Sequence, residues 1–248
     1  MRLEAEEERL VVVSDLHLGS PASRAAHTFP QFVRGLSGTG WNLCINGDAF
    51  DFLQGSTRRL AHDALVAVRA LAQFHRSGGR IYYTLGNHDL PLEHFLADLP
   101  ITVVPFLNLA SGGRRIRIEH GHLHEPAYLK WPRLYHFGGW LGRYLLAANA
   151  DVYRLWSRMQ RRTDAHRRRT PDDYPYYVAA RDLFARGFDA VVFGHTHLPE
   201  RSEHDGGVVV NAGDWMRRPT FARIESGNID LVQPHTGTPL GASLAGHN

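Results

Sequence analysis

Five apolar stretches of this chain end in residue types that apolar stretches normally avoid. Leu10 to Val13 lead through Ser14 into Asp15-Leu16-His17, and residues 41–46 lead into Gly47-Asp48, with Asp51 three positions on. Residues 80–85 lead into Gly86-Asn87-His88-Asp89, residues 114–119 into His120-Gly121-His122, and residues 189–193 into Gly194-His195-Thr196-His197. Each has an ordinary reading alone. Gly-Asp is a common turn dipeptide, Asn-His-Asp can cap a helix, and a single buried histidine is more often hydrogen-bonded than a ligand. Together they point elsewhere, because α/β sheets collect ligand groups at the carboxyl ends of their strands. Five such ends would bring Asp15, His17, Asp48, Asn87, His120, His195 and His197 to one place.

Two Asp, one Asn and four His make a mixed oxygen and nitrogen donor set without thiolate. That set suits Mn²⁺, Fe or Zn²⁺ rather than Ca²⁺ or an iron–sulfur cluster, with Mn²⁺ the leading expectation. Seven donors exceed the needs of one tetrahedral ion. They match two divalent ions about 3.5–4 Å apart that share a carboxylate. Asp48 is the candidate bridge, with a hydroxide as the second. Such a hydroxide exists near neutral pH and can attack phosphorus in line with a leaving oxygen. Asn87 could ligate and also donate its amide hydrogen to phosphate. His88 could protonate the leaving group or stabilise phosphoryl charge, with Asp89 raising its pKa and fixing its tautomer. His122 and His124 could contact substrate, support the ligands or lie on the surface. Asp51 would orient a neighbouring histidine or cap a turn.

The elements that must position these residues follow from periodicity. Strands are predicted at 9–14, 41–46, 80–85, 101–104, 114–119, 189–193, 207–211 and near 220–224. Helices are predicted at 61–76, ended by Gly78-Gly79, at 91–97 and at 172–186. Early alternation of strand and helix, then strands in succession, gives an α/β sandwich. The core is expected over 1–125 and 171–232. Between them, Phe137, Trp140, Leu141, Tyr144, Leu145, Val152, Leu155, Trp156 and Met159 recur at steps of three, four and seven. Residues 126–170 are therefore read as a helical cap inserted between strands, and 233–248 as a flexible tail.

The totals narrow the setting. The chain has 248 residues, 43% of them hydrophobic, enough for a sizeable core and against a disordered chain. Its one cysteine excludes a disulfide framework and favours a cytoplasmic setting. The start, MRLEAEEER, is not a signal peptide, and no apolar run reaches the roughly 18–20 residues that span a bilayer. Seven arginines and one acid lie between Arg154 and Arg169. Arg154, Arg158 and Arg161 there are candidate contacts for an anionic partner: substrate phosphate, lipid headgroup at a membrane surface, or nucleic acid. His122 joins them as a candidate substrate contact.

The ordered set Asp-x-His, Gly-Asp-x-x-Asp, Gly-Asn-His-Asp, His-Gly and Gly-His-x-His resembles the calcineurin-like metallophosphoesterase superfamily, over residues 15 to 197. The resemblance implies a four-layer αββα sandwich. It places Asp15, His17, Asp48 and His197 on one ion, and Asp48, Asn87, His120 and His195 on the other. Within that superfamily the chain is most similar to the UDP-2,3-diacylglucosamine hydrolase group of lipid A synthesis. The start Ser14-Asp-Leu-His-Leu-Gly19, the insertion after the fourth motif and Asn211-Ala-Gly-Asp-Trp215 carry this. His88 stands where that group typically has Arg, and His122 where it has Asp. The implied activity is cleavage of the pyrophosphate of a nucleotide-linked lipid or sugar, beneath a cap over an acyl-binding cleft, on the inner face of the cytoplasmic membrane. The alternatives are a broad phosphodiesterase, phosphomonoesterase or nuclease, or a non-catalytic scaffold of the same fold.

Overall fold

The computed structural model describes residues 3–51, 57–89, 100–131, 159, 173–216 and 219–233. Period-two alternation dictates the layering. On β2 (Arg9–Val13), Val11 and Val13 pack with α1 (Ala25–Leu36) and α2 (Thr57–Arg76), while Leu10 and Val12 pack inward between two sheets. On β8 (Ala190–Phe193), Val191 and Phe193 pack with the flanking residues of α4 (Pro175–Ala185), while Ala190 and Val192 face the inter-sheet core. Three apolar cores thus separate helix, sheet, sheet and helix, which is the αββα sandwich expected. A short helix, α3 (Pro126–Lys130), follows a 3₁₀ turn at His122–His124.

The first sheet contains β2, β3 (Asn42–Asn46), β4 (Ile81–Thr84) and β5 (Thr102–Val104), all parallel. It is extended beyond β2 by antiparallel β11 (Phe221–Glu225) and β12 (Asn228–Val232). The second runs in the order β1 (Leu3–Glu6), β6 (Leu107–Ser111), β7 (Arg114–Ile118), β8, β10 (Gly207–Asn211), β9 (Glu200–His204). Parallel β7 and β8 end at the same edge of that sheet. Five of the elements are not visible as periodicity. The edge strands β1 and β9 are polar, LEAE and ERSEH, and β6 and β12 carry interrupted apolar patterns. Helix α1 holds Pro30, which breaks a helical reading although the packed helix tolerates it.

The expected helix at 91–97 lies outside the described residues. So do the expected cap, apart from 126–131 and Met159, and the expected tail beyond Gln233. Among the described residues no helix is long and apolar enough to cross a membrane.

One side chain ties the sheets together beneath the strand ends. Asn46, fully buried at the end of β3, donates from Nδ2 to the Glu119 carbonyl at 3.1 Å. Its Oδ1 accepts from Thr84 Oγ1 at 2.6 Å, and its carbonyl accepts from His120 Nδ1 at 2.9 Å and lies 2.6 Å from Ser14 Oγ. Replacing Asn46 by Ala leaves buried groups of both sheets unpaired. The expected loss is roughly 2–5 kcal/mol, read from urea denaturation of the metal-free protein.

Candidate metal centre

Every strand end singled out above opens onto one edge of the sandwich. There the chain adopts a conformation that L-residues resist. Seven non-glycine residues have positive φ among those described, and five of them are Asp15, His17, Asp48, His195 and His197. Left-handed backbone at an ordinary side chain costs on the order of 1 kcal/mol or more, and persists where surrounding structure over-determines it. Here backbone hydrogen bonds do so: Asp15 N to Gly47 O at 3.2 Å, His17 N to Asp48 O at 2.9 Å, and Trp215 N to Asp15 O at 3.2 Å.

The carboxylates are held by one oxygen and offer the other. Asp15 Oδ2 accepts from Ser14 Oγ at 2.5 Å and from His195 N at 2.9 Å. Its Oδ1 makes no hydrogen bond and lies 3.1 Å from His197 Nε2 and 3.7 Å from His17 Nε2. Asp48 Oδ1 accepts from His88 N at 2.9 Å. Its Oδ2 faces His120 Nε2 at 3.4 Å, His88 Nε2 at 3.9 Å and His17 Nε2 at 4.0 Å. The Nε2 atoms of His17 and His197 stand 3.2 Å apart. Asn87 Oδ1 and His120 Nε2 are buried and make no hydrogen bond. Because His120 Nδ1 donates to the Asn46 carbonyl, its Nε2 lone pair is turned to the site.

Two clusters of donors result. Asp15, His17 and His197 form one; Asp48, His120 and His195 form another; His17, Asp48 and His88 overlap both regions. Asp48 thus stands between the two, where a bridge was expected. Four carboxylates, Asp15, Asp48, Asp51 and Asp89, are at most 2% exposed. That much buried negative charge calls for cations. Protonated imidazoles supply them in the metal-free protein. Burial opposes the charge on His120, but Asp48 and Asp15 carry its pKa up to about 10. Burial opposes that on His88 too, and Asp48 and Asp51 raise it to about 9. In return, despite burial, His197 and His120 hold Asp15 low, and His120 and His88 hold Asp48 low. Burial and the Asp48 charge push Asp89 up to about 6. Orphaned oxygen and nitrogen donors around an excess of carboxylate fit divalent cations.

Of the support expected for His88 from Asp89, only the charge is present, and it helps to raise the His88 pKa. Asp89 does not sit behind the His88 ring. Its oxygens take backbone hydrogens instead, from Asp48 N at 2.5 Å, Gly86 N at 3.2 Å and Phe50 N at 3.4 Å. The carboxylate nearest the ring is Asp51, with Oδ1 3.4 Å from His88 Nδ1 and Oδ2 3.9 Å from His17 Nδ1. The acid at the fifth position of Gly-Asp-x-x-Asp reaches both rings because the turn at Asp48 folds it back, a bend no period reveals. His122 is buried, with its ring 5.5 Å from that of His120 and edge-on to Tyr128 at 5.2 Å. Burial and the neighbouring His120 push its pKa down to about 4, so it is neutral at pH 7. His124 turns away to Glu119, with Nε2 2.5 Å from Oε1. Arg154, Arg158 and Arg161 lie outside the described residues.

The chain is similar to known proteins over most of its length. A family model described as "Calcineurin-like phosphoesterase" matches residues 8–199. The UDP-2,3-diacylglucosamine hydrolase of Ralstonia nicotianae is 30% identical, covering 87% of this chain and 88% of that relative. The protein of that name from Azotobacter vinelandii is 26% identical, covering 90% and 97%. A solved structure of an archaeal phosphodiesterase aligns with TM-score 0.47 at 14% identity, over 91% of this chain and 99% of that one.

Glycines beside the ligands provide the sharpest local test. A Cβ on Gly86 would run into the Asp48 carboxylate and backbone, and one on Gly194 into Ser14 and Asp15. Gly86→Ala and Gly194→Ala should each lower metal content measured by elemental analysis. Gly38→Ala, where a Cβ meets nothing within 4 Å, should keep full content and cost about 1 kcal/mol of stability through its positive φ.

Proposed function

We propose, from the premise that this chain belongs to the calcineurin-like phosphoesterase family, that it hydrolyses the pyrophosphate bond of a nucleotide-linked lipid such as UDP-2,3-diacylglucosamine. A metal-dependent phosphoester hydrolase is what the family and the hydrolase relatives make it. The observation that carries the site is the convergence of donors from five strand ends, most of them in strained backbone with unshared atoms facing one another. The substrate is supported by the names of the relatives. It is supported also by exposed apolar side chains: Leu123, next after His122, with Leu129 on α3 and Trp131 just beyond it, are each more than half exposed. Acyl chains have such side chains to lie against.

Two divalent ions, Mn²⁺ foremost, would be held by Asp15, His17, Asp48 and His197 and by Asp48, Asn87, His120 and His195, and would supply charge neutralisation at phosphate and a water ionised near neutral pH. The chain's own residues set the geometry. Ser14 and the His195 amide orient Asp15, the His88 amide orients Asp48, and Asn46 orients His120. Hydrolysis adds a hydroxyl to one phosphorus, breaks that phosphorus's bond to the bridging oxygen, and adds a proton to this oxygen, which stays on the other phosphorus. His88 is the residue assigned to that proton. Asp51 faces its Nδ1 and leaves Nε2 toward Asp48 and the centre. Asn87 and His122 are assigned to phosphate oxygens. The substrate is a membrane lipid on this reading, and residues 126–170 are the segment assigned to reach it at the inner face of the membrane.

Incubation with Mn²⁺ and UDP-2,3-diacylglucosamine should release UMP and the lipid monophosphate, detected by mass spectrometry. His88→Ala should lower kcat about 10²- to 10⁴-fold with metal content unchanged. No release from protein holding both ions would assign the site to another phosphoester, with small aryl phosphodiesters and single-stranded DNA next to be assayed.

A further inference from the structure

Charge is divided unevenly between the two helical layers. From residue 21 to residue 80 the chain has three acids, Asp48, Asp51 and Asp63. All three are buried. Two belong to the metal centre, and Asp63 is occupied by the Gly19 amide at 3.1 Å and by His62 at 3.2 Å. Arginines in the same stretch lie outside: Arg24, Arg34, Arg58, Arg69 and Arg76 are exposed. Arg80 differs, since Glu7 neutralises it at 2.9 Å. On α2, Arg58, His62, Leu65, Arg69, Gln73 and Arg76 recur at steps of four and three and form one exposed stripe. At 1.5 Å per residue the stripe is about 27 Å long. On the opposite side, the described residues of α4 carry both signs. There Arg181 pairs with Asp205 at 3.0 Å, and exposed Asp182 lies beside it in sequence.

We propose that the α1–α2 face is a docking surface for an anionic phospholipid bilayer. Among the described residues no acid pairs with Arg24, Arg34, Arg58, Arg69 or Arg76, and like charges so placed repel one another. The stripe is too long for one small anion and suits an array of headgroups. Leu65, 51% exposed, sits in the middle of it. Arginines flanking an exposed apolar side chain on one helix face match an interfacial helix. Among the described residues the face exposes no Phe, Tyr or Trp, so it lacks the large rings on which bases stack best. The inference needs neither the lipid substrate nor residues 126–170.

The test is vesicle co-sedimentation of the full chain at physiological ionic strength. Phosphatidylcholine vesicles are compared with vesicles containing roughly one third phosphatidylglycerol. Binding is expected to the anionic vesicles alone. Each arginine removed should weaken it about fivefold, and Arg58→Gln, Arg69→Gln and Arg76→Gln together on the order of 100-fold. Metal content should be unchanged in that triple variant, because none of the three belongs to the donor clusters. Arg69→Gln alone, at about fivefold, keeps the test readable should the triple variant not fold. Absence of wild-type binding would overturn the proposal. So would equal binding by the triple variant, which would place the contact elsewhere. Tighter binding to duplex DNA than to vesicles, lost in the same variant, would reassign the face to nucleic acid and overturn it as well.

Discussion

The rest of the structure is arranged around the carboxylate of Asp48. It is 2% exposed, and one of its oxygens faces imidazole nitrogens contributed by three different segments, at His17, His88 and His120. A carboxylate in that position is untenable without positive charge beside it. Asp15, Asp51 and Asp89, also buried, sharpen the demand. Metal-free, the site answers with imidazoliums, which is why His120 and His88 titrate high and Asp48 low. Divalent cations answer the same demand with more charge, and the unshared donor atoms face where they would sit. Fold and chemistry meet in this electrostatic constraint.

Meeting the constraint costs backbone strain. Five of the expected ligands occupy left-handed backbone, and the glycines beside them give up side chains so that Asp48 and Asp15 can approach. Such strain holds only because two sheets converge on the edge and Asn46 fastens them beneath it. The ends of β2, β3, β4, β7 and β8 hold the donors close together, since each strand is fixed along its length by its ladder and its buried faces.

The donors were legible because they interrupt apolar strands, and an interruption is visible in one dimension. Asp15, Asp48, His120 and His195 each follow a strand whose period is clear. What was not legible depended on the third dimension. Asp51 rather than Asp89 backs His88 because the chain bends at Asp48 and returns, while Asp89 turns to the Asp48, Gly86 and Phe50 amides. The pinning role of Asn46 needs both sheets to exist before it means anything. Strands β1 and β9 lie at sheet edges, where polar side chains are tolerated and alternation fades. Helix α1 carries a proline that packing overrides. Even the cationic face emerges only once Asp48, Asp51 and Asp63 are known to be buried.

The central claim is a pair of divalent ions sharing Asp48. Anomalous diffraction from crystals grown with Mn²⁺, with data collected above and below the manganese edge, tests it most directly. The account predicts two anomalous peaks about 3.5–4 Å apart, one on each side of Asp48 Oδ2. One would be ringed by Asp15, His17 and His197, and the other by Asn87, His120 and His195. A single peak, or two that do not share Asp48, would contradict it.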